Sequence, residues 1–302
     1  MGRTSNSSKT KGVSTIREES FGDNNLPKFV GVPEGQRGVT IFNLLPADQR
    51  QITTHRVINS YYPVDGDISD EPIEIVRIYD TDGNPVSVAI NALDQNNRLQ
   101  KINTYAWTDG EARGASIPLA LAPALKRNVF VHNHPRAGAL SFDDAKTASG
   151  MNFGSIEARL NRNSFWNNMV DLHQRKNYIG QSVKQLKKEY DDKYSLSILN
   201  NVSDFLNNDL LKYYQTANSN SRMSVAETNT LPYIRTYLKP KTKSWPKIKQ
   251  THDEYYVAAQ NITQRLYLDS NLRSESANFL VGHAAMKHLA DTYNLNYGIT
   301  EA

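Results

Sequence analysis

The sequence predicts an α/β fold, a mixed sheet flanked by helices and followed by a mostly helical C-terminal region. Before residue 150, apolar and β-branched residues gather in short runs such as Ile73–Tyr79, Val86–Ile90 and Asn128–His132, bounded by Asp, Gly, Asn and Pro. Beyond Gly150, Leu, Ile, Phe and Tyr recur at helical spacing with Lys and Asn between them. A chain of 302 residues with 38% hydrophobic content supports one large domain or two modest ones. Its mean hydropathy of −0.60 places polar loops and wet helix faces around that core.

Residues 1–26 are rich in Ser, Asn and Lys and read as a disordered tail. Residues 27–60 form an N-terminal extension in which Lys28–Val32 and Val39–Phe42 are extended segments punctuated by Pro33 and Gly35. The core is expected over 61–150. Ile73–Tyr79 carries apolar side chains on both faces, which marks a central strand, and Asp82-Gly83-Asn84 turns it into a hairpin with Val86–Ile90. Asp80 and Asp82 lack the spacing and closing Glu of an EF-hand, so a plain turn is the simpler reading. Ala115–Arg127 is a short helix candidate, and Asn128–His132 is a buried strand ended by Pro135. Ser141 then opens a helix with Asp144 at its third position, the pattern of a capping box. Helices are expected over Ile156–Gln174, Gln181–Tyr190, Leu196–Tyr214, Asp253–Leu266 and Ser274–Tyr293, making 151–221 and 251–302 a helical region. Between them, 222–250 supplies two short strands, over Met223–Leu238, that can complete the sheet.

Composition narrows the chemistry. With no cysteine, thiolate zinc sites, disulfides and thiol nucleophiles are excluded, and any metal must use His, Asp or Glu. No apolar run is long enough to span a bilayer and no leader pattern is present, so the expected location is cytoplasmic, with virion association compatible. Gly2 does not meet the myristoylation pattern, which wants Ser or Thr where Asn6 stands. His-Glu-x-x-His and a phosphate-binding Gly loop are missing. His283 and His288 are five apart and fall on different helix faces. The net charge of +4 is local: Thr230–Gln250 holds six basic residues and no acid, leaving 29 basic and 31 acidic residues elsewhere. Lys239, Lys241, Lys243, Lys247 and Lys249, with Tyr233 and Tyr237 before them, suit either a solvated edge or a weak nucleic-acid contact.

The informative string is His132-Asn133-His134-Pro135, a short loop, then Ser141-Phe142-Asp143-Asp144. Histidines at i and i+2 on a strand share a face, so both imidazoles can reach one ion. The next helix brings a carboxylate from its first turn. Two His and one carboxylate leave one tetrahedral position open, as a catalytic zinc requires.

These residues resemble the JAMM signature of JAB/MPN metalloproteases, most closely the versions in phage and mobile-element proteins. The resemblance covers residues 71–150. It implies a JAB/MPN-like, cytidine-deaminase-like layered sheet, a zinc ion held by His132, His134 and Asp144, and a protein or peptide substrate. Ser141-x-x-Asp144 is intact, which favours Asp144 over Asp143, and nine residues separate His134 from Asp144. The family's upstream glutamate corresponds best to Glu74, which alternation groups with Val76 and Ile78 in an apolar setting that suits a general base. Glu71 is the reserve candidate, and Glu111, in a polar loop, fits less well. Ser141 is expected to stabilise the tetrahedral intermediate. The expected function is zinc-dependent hydrolysis of amide or isopeptide bonds. Its alternatives are a JAB-fold interaction protein of a phage or mobile element with an auxiliary metal site, and a nucleic-acid-associated RadC-like protein. The adjacent His-Asn-His differs from an HNH nuclease, whose residues are spread over a ββα unit. The oligomeric state is not encoded in any pattern here.

Overall fold

Strand formation around His132 and His134 follows from short runs of β-branched and other apolar residues. The computed structural model describes residues 40–42, 54–56, 68–69, 74–93, 99–105, 108–109, 126–220, 224, 233–248 and 252–301. Of these, 40–42, 54–56, 87–93, 99–105, 108–109, 220 and 252 are described by backbone alone. The expected tail 1–26, most of the 27–60 extension, most of the helix over 115–127, the first strand of 222–250, and Glu71, Glu111 and Lys249 lie outside the described residues. The strands are β1 (Thr40–Phe42), β2 (Thr54–Arg56), β3 (Ile75–Tyr79), β4 (Ser87–Leu93), β5 (Leu99–Tyr105), β6 (Thr108–Asp109), β7 (Val129–His134), β8 (Ser155–Leu160), β9 (Ile234–Pro240) and β10 (Leu295–Glu301). The helices are α1 (Phe142–Met151), α2 (Arg162–Gln174), α3 (Lys176–Glu189), α4 (Lys193–Asp204), α5 (Leu210–Asn220), α6 (His252–Ser270) and α7 (Ser274–Tyr293).

The strands form two sheets, ordered β2-β1-β4-β5 and β10-β9-β8-β7-β3-β6, the last being a two-residue edge. The larger sheet is mixed. β3 runs antiparallel to β7, while Gly154 N–H donates to Asn128 O (2.8 Å) and Asn161 N–H to His134 O (3.2 Å), which aligns β8 parallel to β7. Gly154 permits this approach, because a Cβ there would stand 2.4 Å from the carbonyl oxygen of Arg127. Two units are distinguished, one formed by the chain to Asn133 with Lys146–Ile156, the other by His134–Ala145 with Glu157–Ala302. The division passes within β7, α1 and β8, each a continuous element.

In the first unit, β3 is fully buried over Ile75–Ile78, as an apolar run on both faces demands. One face packs Ile75, Val131 and Ile68, with Tyr79 and Val129 at its margin. On β7, Phe130 stacks on Phe153 with ring centroids 4.9 Å apart. The expected turn forms: Asp80 Oδ1 accepts from the N–H of Asp82 (2.9 Å) and Asn84 (2.8 Å), and Gly83 takes φ 88°. The hairpin, however, is reduced to one bridge, Tyr79↔Pro85, with Val86 N–H on Ile78 O; β4 then departs to pair with β1 and β5.

In the second unit, helices dominate, but two strands replace expected helix. Ile156, Ala158 and Leu160 are buried, and that alternation of two makes Ser155–Leu160 a strand, with α2 starting only at Arg162. Asn161 caps α2 by accepting from Ser164 N–H (2.9 Å), and Asp192 caps α4 through Tyr194 and Ser195. The helix over Leu196–Tyr214 is interrupted by a π-helical turn at Phe205–Asp209. α7 is apolar around most of its circumference, which makes it the central helix of this unit. Asn294 in the left-handed conformation ends it, and β10 follows, paired with β9 over seven residues. β9 is thus an inner strand rather than an edge, while Lys239, Lys241, Lys243 and Lys247 are exposed.

The core of this unit holds an aromatic chain: Phe165 meets Phe279 edge-on at 5.4 Å, Phe205 meets His283 at 5.1 Å, and His283 lies 5.3 Å from Tyr297. His283 Nδ1 and Tyr297 Oη share a hydrogen bond of 2.9 Å, whereas His288 turns to Ser197, so the two histidines serve separate contacts. Burial, aided by the Lys287 charge, pushes the His283 pKa down to about 3. The unfolded chain therefore binds the extra proton near pH 6.5 while the native state refuses it until about pH 3. The stability this neutral histidine preserves is fully present above pH 6.5 and declines as pH falls through that window, by up to about 1.4 kcal/mol per pH unit. Urea unfolding at pH 7 and pH 5 in chelator should show a loss of about 2 kcal/mol in the wild type. The loss should be visibly smaller in His283→Gln, and an unchanged pH slope in the variant would remove His283 as its cause.

Candidate metal centre

Register on two neighbouring strands assembles the site. β3 and β7 pair with Val76 opposite His132, so these two share a face. Carrying that antiparallel register two residues further sets Glu74, just before β3, opposite His134. Residues at i and i+2 on β7 share this face, which brings both imidazoles toward the glutamate. Asn133, between them, points the other way and is fully buried; its Oδ1 accepts the N–H of Ile75 at 2.6 Å. A side chain thus takes the ladder hydrogen bond where regular pairing ends, and this fixes the backbone on which Glu74 sits. The sequence spelled out Asn133, but its role was not read from it; an amide between two candidate ligands on a buried strand was the available signal.

The ligand atoms of Glu74, His132 and His134 lie within 4.8 Å of one another. His132 Nε2 is 4.0 Å from Glu74 Oε1, with side chains 1% and 17% exposed. His134 Nε2 is 3.8 Å from Asp144 Oδ2, 17% and 13% exposed. Each imidazole therefore has a carboxylate beside it.

His134 is held in a defined tautomer. Its Nδ1 stands 2.7 Å from the carbonyl oxygen of Gly138, which can only accept, so Nδ1 carries the proton and Nε2 presents its lone pair. The link from ligand histidine to backbone carbonyl is the usual outer support of a metal site. The loop that supplies it turns sharply after the strand, with Ala137 N–H on His134 O at 2.9 Å and Ala137 at φ 52°.

No protein-family model, curated protein or solved structure matches this chain.

Ser141 and Asp144 form the capping box expected of them. The Ser141 N–H donates to Asp144 Oδ2 (2.7 Å), its Oγ–H donates to the same oxygen (2.8 Å), and Asp144 N–H donates to Ser141 Oγ (3.1 Å). Capping holds the Asp144 carboxylate beside His134 and occupies the Ser141 proton at the same time. Ser141 itself is exposed. Sequence placed Asp144, rather than Glu74, with the two histidines as ligand; the tightest mutual grouping is instead with Glu74, and Asp144 adjoins it through His134.

The residue types suit zinc. Donors at about 2.0–2.2 Å around a tetrahedral zinc stand about 3.3–3.6 Å apart. The His132–Glu74 and His134–Asp144 separations, 4.0 and 3.8 Å, are a few tenths of an ångström wider, so these side chains would draw inward around an ion. Among the described residues no other group of three His, Asp or Glu side chains converges in this way. None of the described helices is long and apolar enough to cross a membrane.

Proposed function

We propose that this chain is a zinc-dependent hydrolase of amide or isopeptide bonds, with a JAB/MPN-like arrangement of strand, loop and helix around the metal. The observation that carries the reading is the convergence of Glu74, His132 and His134, with Asp144 3.8 Å from His134. His132 and His134 through Nε2, and Asp144 through its carboxylate, would hold the ion. Zinc in that position supplies Lewis-acid chemistry, acidifying water and polarising a carbonyl.

The side chains divide the remaining work. Glu74 accepts a proton from the attacking water as its oxygen joins the carbonyl carbon, then delivers that proton to the amide nitrogen as the C–N bond breaks. Ser141 donates its hydroxyl to the oxygen that gains negative charge. Its hydroxyl donates to Asp144 Oδ2, so it must rotate to take this role. Asn133 and Gly138 act as positioning residues, the first for the strand bearing Glu74 and the second for His134.

A second reading has its own support. Glu74 is already in the tight group, and Asp144 Oδ2 is taken up in capping α1, so Glu74 can itself be the carboxylate ligand of a metal that serves structure or partner binding. Zinc stoichiometry separates the two. In the hydrolase reading the wild type holds one zinc per chain and Asp144→Ala weakens binding at least about 100-fold, as loss of a ligand implies. Undiminished zinc in Asp144→Ala would transfer the ligand role to Glu74 and end its role as a base.

A further inference from the structure

We infer that the cleft beside α1, walled by α6 and α7, is a docking groove for an extended, uncharged polypeptide segment about five residues long. In the hydrolase reading, on which this assignment rests, the groove selects the substrate chain. Its volume is about 680 Å³, within the range of ligand clefts. The loop Gly138–Phe142 forms one wall, and that loop also carries Gly138, the support of His134, and Ser141. A chain lying in the groove therefore runs alongside the residues that orient the metal site.

Helical spacing explains the opposite wall. Tyr256, Gln260, Thr263, Gln264 and Tyr267 recur at three- and four-residue intervals, so one face of α6 lines the groove while Tyr255, Ile262 and Leu266 are buried. Tyr256 and Tyr267 are 43% and 46% exposed, which leaves part of each ring accessible to a ligand. Eleven residues of helix separate them, about 16 Å, the reach of about five extended residues. On the floor, Gly282 adds no side chain to the cleft; a Cβ there would stand in ordinary contact, 3.7 Å, with the Ala139 methyl.

The chemistry of the lining identifies the occupant. Side-chain amides and a hydroxyl lie between two tyrosine rings, and Asp143 is the one charged residue among those that line the cleft. No Lys or Arg is among the described residues that line it, so a polyanion such as a nucleic acid finds no counter-charge there. Amide side chains pair well with main-chain N–H and C=O groups, which an extended segment leaves available and a helix does not.

The test measures fluorescence polarisation of the full chain with three fluorescein-labelled degenerate decapeptide pools, one uncharged, one bearing lysines and one bearing aspartates, beside a labelled penta-N-acetylglucosamine. The uncharged pool should bind saturably and at least tenfold more tightly than either charged pool. Tyr256→Ala/Tyr267→Ala should weaken it at least tenfold, as should Gln264→Arg, which leaves the core untouched. Unchanged binding in both variants, preference for the oligosaccharide, or saturation by no pool would overturn the assignment. The same ranking is expected in chelator, so docking survives or fails independently of zinc, and loss of zinc binding alone counts against the hydrolase and not the groove.

Discussion

Glu74→Gln is expected to retain one zinc per chain while hydrolysis of a quenched-fluorescent uncharged peptide falls by about 10²–10⁴, the usual contribution of a positioned base. Glutamine keeps the shape and hydrogen-bonding reach of the side chain but cannot take a proton from water. The strand position that presents it is set by Ile75 N–H on Asn133 Oδ1, which the substitution does not touch. The side chain is only 17% exposed, so solvent does not readily stand in for it. Two outcomes would be decisive against the role. Turnover within tenfold of wild type removes Glu74 from the proton path, and loss of zinc makes it a ligand.

Much of this site was legible from residue order. A buried strand followed by Pro135 must end there, and β7 ends at His134. Ser141 and Asp144, three apart before an apolar run, cap α1 as such a pair does. The limits of α7, Ser274–Tyr293, follow from apolar spacing with Asn294 beyond it. What composition lacked was tertiary partnership. Ile156, Ala158 and Leu160 satisfy a period of two, yet Leu160 also continues into the spacing of α2, and only neighbours on both sides decide for strand. β10 is polar along most of its length and becomes a strand through seven paired residues on β9. The segment after the Asp80 turn carries β-forming residues without naming its partner, and it joined the other sheet.

How each carboxylate stands to the paired histidines was hidden for a related reason. Spacing places Asp144 on the first turn of α1, but its distance to His134 depends on the path of the loop from Pro135 to Leu140, which no local pattern fixes. That path is tied by Gly138 O to His134 and by Ser164 Oγ to Pro135 O (3.2 Å), contacts 4 and 29 residues apart in sequence. Glu74 reaches the same point through register, 58 residues before His132, and register is a property of the pair of strands.

Zinc should raise the thermal midpoint of the wild type by about 8–16 °C and leave His132→Ala/His134→Ala unmoved. An ion that binds only the native state adds about 4 kcal/mol at a thousandfold excess over its dissociation constant. Each kcal/mol moves the midpoint of a domain of 150–250 residues by about 2–4 °C. The double variant removes both Nε2 donors, and a remaining pair of carboxylates binds zinc too weakly to register. Because His132 is 1% exposed, its truncation also opens a buried space, so the variant's own midpoint should drop by a few degrees even in chelator. The diagnostic quantity is therefore the difference between zinc and chelator within each protein. An equal zinc-induced rise in both would place the ion elsewhere on the chain, and with it the hydrolytic reading of β3 and β7 would fall.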